Sequence, residues 1–253
     1  RNITILKRIL NLRQRNAKLL GYKTFAHYAI EDRMAKSPEN VMNFLNGIVH
    51  KVEKGAQRDK EELLAFKRSF TKNEAATIEY YDSYYVSQLE KQKYAVDSEK
   101  IREYFPFEKV RTGVFDVYQK LLGVKFVKNT DYPLWHTDAE LYEIKDKSKT
   151  IAYFVMDLFP REGKYGHAAA FDLIDGHVEG DHYKAPLAAL VCNFSKPTKS
   201  TPSLLSHDEV ETFFHEFGHV MHAVLTKARH ESQAGANVAW DFVETPSQIM
   251  ENW

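Results

Sequence analysis

His215, Glu216 and His219 stand in the order His-Glu-x-x-His, two imidazoles four residues apart with a carboxylate beside the first. An α-helical turn takes about 3.6 residues, so side chains at i and i+4 stack on one face. On a helix the two rings can therefore share one metal ion. Glu216 would stand beside that ion rather than on it, within reach of a water molecule held there. Imidazole pairs at this spacing suit zinc, and a neighbouring carboxylate suits a general base.

The helix that must carry this pentapeptide has its own start signal. Ser206-His207-Asp208-Glu209 has the S-x-x-E form of a capping box. Val210, Phe213, Phe214, Phe217, Val220, Met221, Val224 and Leu225 then recur at three- and four-residue steps, the stripe of a half-buried helix. Gly218 interrupts it where helix propensity disfavours glycine by about 1 kcal/mol, which points to close approach of another element.

A catalytic zinc takes three protein ligands and leaves a fourth position open. Downstream candidates for the third are His222, His230, Glu231, Asp241, Glu244 and Glu251. His222 shares the helix but is rotated away from the His215/His219 pair. His230 and Glu231 fall in a loop-like stretch. Pro246 disfavours helix at Thr245 and predicts a helix start or kink there. Spacing alone does not choose between Glu244 and Glu251. Zinc-bound imidazoles usually donate their second N–H to a carboxylate or carbonyl. Glu211, one turn before His215, is a candidate for that role, as are Asp208 and Glu251; Glu211 also suits the helix dipole.

Phe214 to His222, followed by Asp241-Phe242-Val243-Glu244-Thr245-Pro246-Ser247-Gln248 and Glu251-Asn252-Trp253, resembles the thimet oligopeptidase family of zinc peptidases. The likeness continues through Ala17 to Tyr22, Tyr104-Phe105-Pro106, Met156 to Lys164 and Leu204 to Val210. It implies that His215, His219 and Glu244 ligate one Zn2+ and that Glu216 is the catalytic base. It implies hydrolysis of short peptides, by an oligopeptidase or peptidyl dipeptidase, inside a channel that excludes folded proteins. It also implies substrate-contacting tyrosine and histidine residues beyond Trp253, so the chain is expected to be the central fragment of a longer enzyme. A fragment that binds zinc or peptide with little turnover is the alternative.

With 35 Lys and Arg against 35 Asp and Glu, no basic excess points to nucleic acid or an anionic membrane. No run of about eighteen apolar residues predicts a membrane span. The single cysteine, Cys192, lies in the apolar run Leu187 to Phe194 and reads as a buried, inert thiol. With no intrachain disulfide, a cytoplasmic location is expected.

The fold class expected is mainly α with a small, mostly antiparallel sheet, an α+β arrangement in which a zincin-like helix joins a helical scaffold. A helical scaffold over residues 1–123 and a zinc-binding core over 124–253 are predicted, divided near Gly123. In the first part, helices are expected over residues 2–20 with Gly21 as terminator, from Thr24 to about Ala35, from Ser37-Pro38 to about Phe70, and over 74–95. Ile5, Ile9 and Leu12 on the first, and Val41, Phe44, Leu45, Ile48 and Val52 on the third, mark expected buried sides. Tyr80, Tyr81, Tyr84, Tyr85 and Tyr94 suit core packing better than a peptide groove. In the second part, strands are predicted at 124–127, 141–144, 151–155, 168–174 and 187–194. The glycine-bearing stretch Arg161 to His167 links two of them, and an edge strand there can pair with an extended peptide. His136, His167, His177 and His182 lack ligand spacing.

Overall fold

The computed structural model describes residues 2–94 and 97–253, which form two compact units, residues 1–97 and 98–253. The first unit is helical. Helix α1 (Asn2–Leu19) ends as the terminal glycine demands. Gly21 takes φ +86°, and Tyr22 N–H reaches back to Ala17 O at 2.9 Å, the left-handed cap that spares a side chain. Helix α2 (Phe25–Ile30) starts at the predicted cap, Thr24, whose hydroxyl accepts from His27 N–H, and it stops five residues short of Ala35. Helix α3 (Pro38–Thr71) starts on Ser37 with proline in its first turn, as the sequence predicts.

Two expectations for this unit fail. The helix predicted over 74–95 is shorter: a 3-10 turn at Tyr80–Asp82 leads into helix α4 (Ser83–Lys93), and residue 95 lies outside the described residues. Side chains of α3 claim the backbone before it, Arg68 Nε donating to Ala76 O (3.1 Å) and Lys67 Nζ to Thr77 O (2.9 Å). These bonds tie the irregular segment 74–79 to the end of α3. The expected buried stripes are also largely exposed. Ile5, Ile9 and Leu12 on α1, Phe44, Leu45, Ile48 and Val52 on α3, and all five tyrosines are open, while Ala17, Val86 and Leu89 are the buried apolar residues of this unit. Helical periodicity marks an apolar face correctly but does not supply the layer that covers it.

The second unit holds the short helix α5 (Ser98–Arg102), helix α6 (Phe107–Leu122) and a five-stranded sheet. Its strands are β1 (Lys125–Asn129), β2 (Glu140–Asp146), β3 (Lys149–Asp157), β4 (Ala169–Ile174) and β7 (Leu187–Val191). A separate hairpin joins β5 (His177–Glu179) and β6 (His182–Lys184). The order β1-β2-β3-β7-β4 is antiparallel throughout except between β3 and β7, which run parallel. The boundary expected near Gly123 would place helix α6 in the helical first part. It belongs here instead, because Phe107, Val110, Val114 and Tyr118 bury its inner stripe.

Strand alternation divides the sheet cleanly. Tyr142 and Ile144 of β2, Ala152, Phe154 and Met156 of β3, and Ala188 and Leu190 of β7 join the main core with α6 and helix α7 (His207–Val224). Leu141, Val155 and Ala189, one residue out of phase, form a small cluster of their own. Phe217, a variable position inside His-Glu-x-x-His, sits at the middle of the main core. Its ring lies 4.8–5.8 Å from those of Tyr118, Phe154, Phe126 and Phe115. Such aromatic packing fixes the rotation of α7 about its axis and so decides where His215 and His219 face. Among the described residues no helix is long and apolar enough to cross a membrane.

Candidate metal centre

Helix α7 begins at the predicted capping box. Ser206 Oγ accepts from Glu209 N–H at 3.1 Å, and Glu209 Oε2 accepts from Ser206 N–H at 2.7 Å. One face of the helix is buried through Phe213, Phe217, Val220 and Val224, and His215 and His219 stand half-buried off that face. Their rings are 4.9 Å apart, centroid to centroid, as the i,i+4 spacing requires.

Glu244 comes from the residue that opens helix α8 (Thr245–Met250), with Pro246 in its first turn. Its Oε2 lies 3.3 Å from His215 Nε2 and 3.0 Å from His219 Nε2. All three candidate ligand atoms fall within 4.8 Å of one another. Donors set tetrahedrally about an ion at about 2.0–2.1 Å would be about 3.3 Å apart, so this trio has the spacing and the mixed nitrogen–oxygen chemistry for zinc. Burial alone would raise the Glu244 carboxyl pKa; the Ser247 hydrogen bond and the two imidazoles outweigh it and lower it. The anion that a cation needs is favoured.

Glycine makes this approach possible. A Cβ on Gly218 would lie 2.8 Å from Ser247 Cα and 3.0 Å from Pro246 O, so α8 rests directly on the backbone of α7. Below the same turn, Tyr118 Oη donates to Phe214 O at 2.6 Å. Ser247, fully buried, donates to the backbone oxygen and to Oε2 of Glu244, both at 2.9 Å. The sequence shows Ser247 only as part of a motif; its position three residues after Glu244 is the signal for this contact.

The remaining candidates separate. Glu251, at the end of α8, places Oε1 2.6 Å from His215 Nδ1. Glu211 does not take that place; its carboxylate gathers instead with His207 and Asp208 at the exposed start of α7. His222 faces away as the rotation predicts, with its ring 6.2 Å from Phe242 and its Nδ1 buried. Glu231 meets His177 Nδ1 at 3.1 Å, His230 precedes a 3-10 turn without a side-chain bond to it, and Asp241 lies outside the trio. Glu216 is half-buried one residue after His215. Burial first, then the Glu216 carboxylate, pushes the Cys192 thiol well above its ordinary value, so this cysteine is an inert core residue as expected.

Strands β3 and β7 end on a buried charge cluster. Asp157 is paired in both oxygens with Arg161 (2.7 Å each) and accepts from Trp135 Nε1 (2.8 Å). Lys164 Nζ donates to the carbonyls of Asp157, Phe159 and Cys192 at 2.6–2.8 Å. The stretch Arg161 to His167 is thereby tied down, and Asn193 Nδ2 adds bonds to Tyr165 O and His167 O. It delivers the chain to β4, which closes one end of the sheet.

The description "Peptidase family M3" matches residues 1–253. The chain is similar to a thimet-like oligopeptidase of Dictyostelium discoideum, 42% identical over all of this chain and 39% of the relative. It is 40% identical to saccharolysin of Saccharomyces cerevisiae, again over the whole chain and 38% of the relative. It is 36% identical to oligopeptidase A of Escherichia coli, over 37% of that protein. The chain thus spans about two-fifths of the length of these relatives, and its full extent falls within one family. It belongs to peptidase family M3.

Proposed function

We propose that His215, His219 and Glu244 hold one Zn2+ and that Glu216 is the general base in hydrolysis of short peptides. The observation that carries this reading is the convergence of two Nε2 atoms on one carboxylate oxygen, at 3.3 and 3.0 Å. When bound, the ion supplies a Lewis acid that polarises a peptide carbonyl and acidifies water near neutral pH. The protein's own residues do the rest. Glu216, adjacent to the ligands but not one of them, takes the proton of the attacking water and returns it to the departing amine. Strand β4 pairs with β7 on one side only, so its other edge offers backbone donors and acceptors to an extended peptide. Names of the similar proteins, oligopeptidases and a dipeptidyl carboxypeptidase, support peptides as substrates. The lone buried thiol suits a cytoplasmic setting.

A second reading rests on length. Because the chain matches about two-fifths of its relatives, zinc and peptide binding with little turnover is the alternative. Metal analysis and a quenched fluorescent peptide separate the two. Hydrolysis that falls about 10²–10⁴-fold in Glu216→Gln, with zinc content kept, supports the enzyme. One equivalent of zinc without cleavage supports binding alone, and zinc retained in full by Glu244→Ala rejects the ligand set.

A further inference from the structure

We infer that Glu251 is the positioning residue of His215. Its carboxylate holds the imidazole in the Nδ1–H form, so that Nε2 keeps its lone pair for the metal. The inference rests on the zinc reading above and adds a residue to it.

The geometry is specific. The two ring nitrogens of His215 face carboxylates at the two ends of one short helix. Nε2 lies 3.3 Å from Glu244 Oε2, and Nδ1 lies 2.6 Å from Glu251 Oε1. Glu244 precedes the first residue of α8 and Glu251 follows the last. Seven residues are close to two helical turns, so both carboxylates project from the same side of α8. Backbone bonds hold that frame, Gln248 N–H to Glu244 O at 2.9 Å and Glu251 N–H to Gln248 O at 3.3 Å. The contact of α8 with Gly218 sets its height above α7.

An ionised carboxylate has no proton to give, so the short contact requires the hydrogen on Nδ1. A neutral imidazole carries one N–H, which leaves Nε2 as the acceptor nitrogen. That nitrogen is the one that faces Glu244 and the neighbouring ring of His219. Without a partner on Nδ1 the ring is free to hold its proton on Nε2, where it would block the site. The bland alternative is that Glu251 merely ties α8 to α7. The His215 and Glu251 side chains are 24% and 30% exposed, so their contact is partly shielded from water.

Long-range 1H–15N spectra of the metal-free chain at pH 8 report the tautomer of His215 directly, and competition titration with a zinc chelator reports affinity. In the parent chain His215 should be in the Nδ1–H form. Glu251→Ala should shift it toward Nε2–H and weaken zinc by about 10–100-fold, while His219 keeps its tautomer. Glu251→Gln, equal in size, guards against loss of fold; it should weaken zinc by about tenfold with an unchanged far-UV spectrum. An Nδ1–H ring in Glu251→Ala, or zinc affinity within about threefold of the parent in both variants, overturns the inference. Failure of the parent chain to bind zinc at all would instead overturn the metal reading, and the tautomer in the metal-free protein would still decide the role of Glu251.

Discussion

At the scale of single residues, the side chains that touch the proposed metal ligands matter as much as those ligands. Glu244 is about half exposed, and an exposed glutamate has many rotamers to choose from. Ser247 removes that choice by donating to both its backbone oxygen and its Oε2. Ser247→Ala should therefore leave the fold intact yet weaken zinc by about tenfold, at the lower end of what such supporting hydrogen bonds contribute. Chelator competition at pH 7 measures it. Unchanged affinity would mean that the His215 and His219 rings alone orient the carboxylate. The sequence makes His215, Glu216 and His219 legible because their spacing matches the period of the element that bears them. It leaves Glu244 and Glu251 as equals, because the bond from Thr245 to Pro246 announces a helix start without saying which flanking carboxylate faces α7. Only the resemblance singles out Glu244, and only packing gives Glu251 its contact.

At the scale of elements, two glycines in helices have opposite meanings. Gly218 has no room: an added Cβ meets backbone atoms of Ser247 and Pro246 at 2.8 and 3.0 Å, and backbone cannot swing aside as a side chain can. Gly113, inside α6, has nothing within 4 Å. Alanine favours a helix over glycine by about 1 kcal/mol. Gly113→Ala should therefore stabilise the chain by about 0.5–1 kcal/mol. Gly218→Ala should cost about 1–3 kcal/mol through overpacking and weaken zinc, since α8 carries Glu244. Urea unfolding of the two variants side by side tests the contrast, and equal gains in both would refute the close approach. Element starts and stops are legible wherever a cap spells them out, as at Gly21, Thr24, Ser37 and Ser206. Segment 74–79 is not, because its backbone is held by Lys67 and Arg68 from another helix. The affiliation of α6 is not either, since an amphipathic stripe does not name the surface it packs on.

At the scale of the whole molecule, cohesion of the second unit depends on charges buried where β3 and β7 end. Asp157 and Lys164 are 3% exposed in their side chains, and Arg161 is 25% exposed. Burial by itself would raise the Asp157 carboxyl pKa from its ordinary 3.8; hydrogen bonds from Arg161, Trp135 and Lys164 outweigh it and hold it well below that value. A carboxyl whose pKa is depressed by folding stabilises the folded state above its unfolded value and loses that contribution as pH falls through the folded one. Its contribution is thus complete above about pH 4 to 5 and declines below the unfolded value of 3.8. Asp157→Asn keeps the shape but leaves two cations without their anion, so it should cost about 3–5 kcal/mol at pH 7. The same gap should narrow as pH falls below about 4, because Asp157 of the unfolded parent chain then takes up a proton while the folded carboxylate, held lower, does not. Other carboxylates titrate in both proteins and cancel in the difference. Urea unfolding of the pair at pH 7 and at pH 3 provides the measurement. A gap that stays constant between these values would show that Asp157 acts through shape and hydrogen bonding, with its charge immaterial to the fold.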